Sequence, residues 1–284
     1  MRRHVLPIIV ICAFAYGIVP EGRSESPAMD YLGQPPPGDV AQIFAPGVVS
    51  TAAMEFRLVI SPKGDDIFFC REATLKRLWR KPDGSGWEGP ATPAFCGENI
   101  NGESWFSADG AKLYFCSRRP MPHAKAPINV WVTEKIDGDW KPAKPLGSPI
   151  TDQTAHAISV SQNGTMYASG IIRFRMDSGN YLPAEPLRPP IEGHHPCIAA
   201  DESFLIFGQR RESGLDPDLY IIFRKSDGSW TERINLGDRV NTEKSEGNAS
   251  LSPDGKYLFF SRNADIYWVS AAFIDTLKIR ALSK

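Results

Sequence analysis

The apolar positions of this chain fall in short runs between turn residues, and the arrangement repeats. One turn motif recurs five times: Ser61-Pro62-Lys63-Gly64, Ser107-Ala108-Asp109-Gly110, Ser161-Gln162-Asn163-Gly164, Ala199-Ala200-Asp201-Glu202 and Ser252-Pro253-Asp254-Gly255. Ser-Pro-Asp-Gly suits a type I turn, because Pro presets φ at the second position and Gly relieves strain at the fourth. Each motif lies between runs rich in β-branched or aromatic residues, such as Phe56 to Ile60 before the first and Ile67 to Phe69 after it. The runs predict hairpins. A second signal recurs between them: Leu78-Trp79 with Asp83-Gly84 and Trp87, Val130-Trp131 with Asp137-Gly138 and Trp140, and Leu219-Tyr220 with Asp227-Gly228 and Trp230. It predicts a third strand, an Asp-Gly turn and an outer fourth strand that opens near the Trp.

The five motifs start 46, 54, 38 and 53 residues apart, which is the length of one propeller blade. The predicted fold is therefore all-β: a five-bladed β-propeller of four-stranded antiparallel blades. Blades pack on both faces, so their strands should be apolar on both sides, as Phe68-Phe69, Tyr114-Phe115 and Phe259-Phe260 are. Nine residues after each motif start stand Cys70, Cys116, Gly170, Gly208 and Ser261, all small. A crowded position shared between blades explains them, and makes Cys70 and Cys116 core residues. The third unit is the weakest, since its third strand near Ile171 to Arg175 is short and no Asp-Gly turn follows. The last unit lacks an outer strand. Asp39 to Phe44 is its natural donor, so the N-terminal strand would close the ring and remove the exposed edges. Beyond Ser270 the run Ala271 to Arg280 reads as helical or frayed.

The Ser-Pro-Asp-Gly turns followed by Tyr257-Leu258-Phe259-Phe260-Ser261-Arg262, with the closing Asp265-Ile266-Tyr267-Trp268-Val269, resemble the TolB-type, WD40-like β-propeller repeats found in many bacterial exported proteins. The resemblance covers residues 39–275. The second and fourth repeats lack the Pro, and the fourth also lacks the turn Gly. Members of that family include a periplasmic protein that binds partner proteins, propeller domains attached to peptidases, and a lyase acting on oligogalacturonate. The resemblance thus implies a fold and an exported setting, and leaves function to be argued from a site.

Composition narrows the setting. The 284 residues carry a net charge of −1 and no Lys/Arg-rich block, so no basic field exists to attract nucleic acid. Arg2, Arg3 and His4 precede an apolar run from Val5 to Val19, which is short for a membrane span and suits a signal-peptide core. Residues 1–26 are read as a signal peptide or leader, with Ala13-Phe14-Ala15 as one cleavage site. Residues 27–38 are read as a Pro-rich linker and 39–284 as the propeller. The expectation is a periplasmic or secreted monomer without a membrane span in the mature chain. Four Cys lie beyond the leader, Cys70, Cys96, Cys116 and Cys197. Export would allow pairing, and no CxxC spacing suggests metal.

Candidate chemistry gathers where the innermost strands begin. Counting on from the preceding hydrophobic residue, Val49 leads to Glu55, Ile100 to Glu103, Ile150 to His156, Ile191 to His194 and Val240 to Glu246. Each innermost strand would open at Glu or His, and together they would ring one channel mouth, with His195 beside them. Three neighbouring carboxylates repel one another, which a divalent cation, a protonated His or a hydrogen-bonding ligand would relieve. No cofactor follows from the spacing alone. The same side chains could equally pin neighbouring blades together. Arg118-Arg119 and Arg210-Arg211-Glu212 are expected on a solvated rim, and His123 in a surface loop. Trp87, Trp140 and Trp230 are expected in blade packing. Three functions stay open: a module binding a protein, glycan or small molecule through the channel mouth; a carbohydrate-active lyase or glycosidase using the Glu/His ring; and a scaffold.

Overall fold

A computed structural model describes residues 29–121, 125–153, 155–211, 214 and 216–283. The chain divides into the units Met1–Asp30 and Tyr31–Lys284, and every described strand lies in the second. The expected leader and His123 lie outside the described residues.

The five turns organise the fold. In each, the amide of the fourth residue donates to the carbonyl of the first: Gly64 to Ser61, Gly110 to Ser107, Gly164 to Ser161, Glu202 to Ala199 and Gly255 to Ser252, at 2.8–3.0 Å. The fourth residue is left-handed in all five, Glu202 included with φ 59°. A left-handed non-Gly residue costs about 1–2 kcal/mol. Glu202 offsets this through its side chain, which accepts Ser161 Oγ at 2.9 Å and Arg224 Nη1 at 2.8 Å. The fourth repeat therefore keeps the geometry of the others without Pro or Gly.

Each turn joins the innermost strand of a blade to the second. Blade one comprises Glu55–Ile60, Asp66–Arg71, Thr74–Arg80 and Trp87–Ala91. Blade two comprises Asn101–Phe106, Lys112–Ser117, Asn129–Ile136 and Lys144–Pro145. Blade three comprises Ser159–Val160, Met166–Ala168, Ile172–Phe174 and Glu185–Pro186. Blade four comprises His194–Ile198, Phe204–Arg210, Pro217–Phe223 and Ile234–Asn235. Blade five comprises Glu246–Leu251, Tyr257–Arg262, Asp265–Ser270 and the N-terminal Gln42–Ile43. Neighbours within each blade are antiparallel. The five innermost strands touch one another in cyclic order, the last against the first.

Cores lie between blades. Phe68, Cys70 and Leu75 of blade one pack with Phe106, Leu113 and Phe115 of blade two. Ile206 and Ile221 of blade four pack with Leu258 and Phe260 of blade five. The four Cys among the described residues are free and buried. Burial pushes the thiols of Cys70, Cys96 and Cys197 up to about 12, so they are inert core groups.

Two local features depart from expectation, and the C-terminal segment takes the helical form read for it. In blades two and four the Trp does not open the outer strand. Trp140 pairs with Lys135, and Trp230 with Arg224, in a short hairpin extension that ends before the outer strand begins. The Asp137-Gly138 turn, with φ 54° and 86°, suits a two-residue hairpin that closes too early to carry the outer strand. In blade three the missing Asp-Gly turn is replaced by Ser178-Gly179, with φ 49° and 83°, between the paired Asp177 and Asn180. The segment beyond Ser270 is a helix, Phe273–Leu282, whose Ile274, Leu277 and Ala281 extend the core between blades four and five.

Ring closure rests on aromatic packing as well as pairing. Gln42 and Ile43 pair with Trp268 and Tyr267. Phe44 is fully buried, 5.1 Å from the rings of both Phe259 and Trp268. Tyr31 lies within the stretch read as linker, and it packs 5.1 Å from Tyr257 and Trp268. Phe44→Ala should cost about 3–5 kcal/mol, as large-to-small changes of a buried Phe do. Urea unfolding of the wild type and the variant at matched m values measures it. A cost below about 1 kcal/mol would mean that the closing strand contributes little.

Candidate functional site

The register of the innermost strands decides which side chains enter the channel. Four of these strands carry a bulge, between Phe56 and Val59, Gly102 and Trp105, His194 and Cys197, and Gly247 and Ser250. An extra residue at a bulge leaves the ladder and re-aims its side chain. At the same distance from every turn, four residues before its first position, the backbone is left-handed: Arg57 (φ 49°), Glu103 (51°), Ala157 (49°), His195 (53°) and Asn248 (52°). These five form one register position.

Glu103 is the hub of that position. Its Oε1 lies 3.1 Å from His195 Nε2 and its Oε2 lies 3.7 Å from Arg57 Nη2. His195 is two blades away, and the intervening blade contributes only the buried Ala157, whose methyl group leaves the reach clear. Arg57 is fully buried; it donates to the Ala249 carbonyl at 2.9 Å and lies 5.7 Å from the Trp105 ring centre. Burial alone would raise the Glu103 carboxyl. The charge and hydrogen bond of His195, with the charges of Arg57 and His156, outweigh it and hold the group at about 2. Backbone contacts fix the position: Glu103 N donates to Cys70 Sγ at 3.1 Å, and His195 N to Ser169 Oγ at 3.2 Å. The small residues of the second strands thus serve the ring of the next blade.

His156 and His194 stand one residue earlier in this register. His194 Nδ1 lies 2.7 Å from the Gly208 carbonyl. A carbonyl only accepts, so Nδ1 carries the proton and Nε2 presents a lone pair. A Cβ at Gly208 would fall 2.8 Å from this imidazole, so the absence of a side chain there leaves room for the ring. Burial, then the neighbouring His195, pushes His194 down to about 4, with Glu103 opposing. The two His rings are 4.9 Å apart.

Glu55 and Glu246 stand two residues before the ring and do different work. Glu55 is fully buried; it accepts Thr51 Oγ1 at 2.6 Å and Arg71 Nε at 2.7 Å. Glu246 repeats this with Thr242 Oγ1 at 2.6 Å and Arg262 Nε at 3.0 Å. Each Arg also donates to the loop entering its blade, at Val48 and Val49 for Arg71 and at Val240 for Arg262. The structure therefore gathers Glu103, His156, His194 and His195, and sets Glu55 and Glu246 in two matching clasps. Arg57, Ala157 and Asn248 are the ring members that the hydrophobic spacing does not find. Counting back four from each turn finds all five.

Of the arginines expected on a solvated rim, Arg118 and Arg210 are exposed, whereas Arg119 and Arg211 are tied down. Arg211 donates to Asp218 Oδ1 at 2.7 Å and to the Lys244 carbonyl. Arg119 lies 4.4 Å above Trp131 and donates to the Phe95 carbonyl at 2.7 Å. Trp140 packs among Phe68, Phe95 and Phe106, in keeping with blade packing.

Beside the ring, at the mouth where the innermost strands begin, a cavity of about 260 Å³ is lined by Phe56, Ile100, Ile128, Arg118, His156 and Glu103, among others. Glu103 Oε2 and Arg57 Nη2 are buried without a hydrogen-bond partner. Among the described residues no three His, Cys, Asp or Glu side chains are placed to share a metal ion.

No protein-family model matches the sequence, and no curated protein does. Solved structures to which it is similar include a protein described as a TolB of Agrobacterium tumefaciens, with 16% identity, 75% of this chain and 71% of that chain covered, and a TM-score of 0.49. TolB from Acinetobacter baumannii shares 12% identity over 76% of this chain and 54% of its own, with a TM-score of 0.46. A gluconolactonase from Xanthomonas campestris shares 12% over 78% and 86%, with a TM-score of 0.47. The five blades themselves, rather than these similarities, establish the propeller.

Two outcomes follow. Glu55→Gln and Glu246→Gln should each cost about 3 kcal/mol in urea unfolding, since each leaves a partly buried Arg without its carboxylate; a cost under about 0.5 kcal/mol would remove the clasp from the stability argument. For Glu103 the pH dependence carries the sign. A carboxyl held low in the fold contributes stability that is complete above its unfolded value and lost as pH falls toward the folded one. From 4.5 to about 2, that amounts to something on the order of 3 kcal/mol. The stability gap between wild type and Glu103→Gln should thus be full at pH 7 and shrink steadily below pH 4.5. A gap that does not change with pH would show that the pairing is weak.

Proposed function

We propose that the protein is an exported, monomeric propeller that binds a small ligand, a glycan unit or a partner's side chain in the mouth beside Glu103, without turnover. The observation that carries this reading is a carboxylate kept ionised at the wall of a mostly apolar cavity, with His156 beside it. A carboxylate there favours a guest that brings a hydrogen-bond donor. Hydroxyl and amine groups supply one, and the walls of Phe56, Ile100 and Ile128 suit the carbon skeleton behind it. Export rests on the basic start and apolar run of residues 2–19. No helix among the described residues is long and apolar enough to cross a membrane.

Glycoside hydrolysis is the less favoured reading. It needs two carboxyl groups about 5–5.5 Å or 6.5–9.5 Å apart. Glu55 and Glu246 are committed to Arg71 and Arg262, which leaves Glu103 as the carboxylate lining the cavity.

A thermal-shift screen of the mature chain against neutral and acidic oligosaccharides and primary amines, with and without chelator, tests the proposal. A ligand at 100 times its Kd stabilises the fold by about 2.7 kcal/mol. The expected shift is insensitive to chelator and absent in both Glu103→Gln and His156→Ala, each compared with its own unliganded melting temperature. A shift retained in both variants would place the binding elsewhere, and product formation from any oligosaccharide would replace the binding reading with an enzymatic one.

A further inference from the structure

The channel has a second mouth, at the opposite ends of the innermost strands, and its chemistry is different. A cavity of about 380 Å³ opens there. Its rim is made by the second residue of every turn motif: Pro62, Ala108, Gln162, Ala200 and Pro253. All five are exposed and none is charged. Its walls are the last residues of the innermost strands, Ile60, Trp105, Val160, Ile198 and Leu251 among them. The fivefold repeat that builds the propeller thus also builds an apolar funnel, one contribution per blade.

Most polar groups around the funnel are already paired, although the exposed side-chain amide of Gln162 at the rim is not. Trp105 donates its indole N–H to the Val160 carbonyl at 3.0 Å, so its ring offers carbon to the cavity. Ser107 and Ser252 donate to the Asp109 and Asp254 carboxylates of their own turns at 2.5 and 2.6 Å. Ser250 donates to the Leu58 carbonyl, and Gln162 N to the Ala200 carbonyl at 2.8 Å. The charged third residues of the turns, Lys63, Asp109, Asp201 and Asp254, do not line the cavity. The Asp carboxylates are held by amides within their own turns: Ala111 N on Asp109, Ser203 N on Asp201 and Lys256 N on Asp254, at 2.9–3.1 Å.

We infer that this second mouth is a binding site for an uncharged apolar small molecule of aromatic-ring size, separate from the Glu103 mouth. Volume and lining fit that class: ligand sites of about 300–1,000 Å³ are mostly apolar, and a funnel whose wall groups are already paired offers a polar guest little beyond the Gln162 amide at its rim. The two cavities share no lining residue, so a molecule in one does not occupy the other.

Titration with the neutral fluorophore N-phenyl-1-naphthylamine tests this. Saturable one-to-one binding is expected, and Glu103→Gln should leave it unchanged. Ala108→Glu and Ala200→Glu place carboxylates on exposed rim positions where the fold has room. Each should weaken binding at least tenfold, and the double variant should abolish it, with the melting temperature unaltered. Unsaturable binding, or a double variant that binds like the wild type, overturns the assignment. Loss of binding in Glu103→Gln alone would do so too, by placing the fluorophore at the other mouth. Should the double variant melt lower than the wild type, Gln162→Glu repeats the test at the third exposed rim position, and undiminished binding there overturns the assignment.

Discussion

Each innermost strand holds one residue in a left-handed backbone conformation, four positions before its turn, and the chemistry of the channel follows from that constraint. A left-handed non-Gly residue costs about 1–2 kcal/mol, and this propeller carries five in register. What they gain is direction. A flat strand would send alternate side chains into the two blade interfaces. In four of the five blades a bulge turns one side chain toward the axis instead. With five blades the axis is narrow, so a carboxylate from blade two meets a guanidinium from blade one and an imidazole from blade four.

The second consequence concerns the residues behind the ring. Cys70 and Ser169 accept the amides of Glu103 and His195 from the neighbouring blade. The small side chains of the second strands are therefore more than fillers. They let blades approach closely, and they satisfy an N–H that the bulge has removed from its own ladder. An unpartnered buried amide would cost about 1–3 kcal/mol, comparable to the strain of the bulge itself, so the two features depend on each other.

Much of the fold was legible in the sequence because turn chemistry is local. Ser-Pro-Asp-Gly dictates a turn wherever it stands, and a constant count from it gave the small residues at Cys70, Cys116, Gly170, Gly208 and Ser261. The ring was only partly legible, because the count toward it began from the preceding hydrophobic residue. That residue lies in the loop entering the blade, and such loops differ in length. The distance from Val49 to Arg57 is not that from Ile100 to Glu103. The turn, by contrast, is hydrogen-bonded to both strands that it joins, so a distance measured from it survives insertions elsewhere. Glu103, His156, His194 and His195 were found, while Arg57 and Asn248 were passed over for Glu55 and Glu246. The clasps had a signal of their own: Thr51, Glu55 and Arg71 repeat the spacing of Thr242, Glu246 and Arg262.

The two clasps also explain why blades one and five differ from the rest. These blades meet where the chain closes on itself, and closure joins Gln42 and Ile43 to a strand more than 220 residues away. Contacts at that separation form against a large loop entropy. Arg71 and Arg262 tie the entry loops of both flanking blades, so the segments on either side of the seam are held in place. The carboxylates that looked like a continuation of the ring belong to this closure. Their burial is what leaves Glu103 as the carboxylate that faces the cavity, so the stability of the seam and the polarity of the mouth are set by the same division of labour among three glutamates.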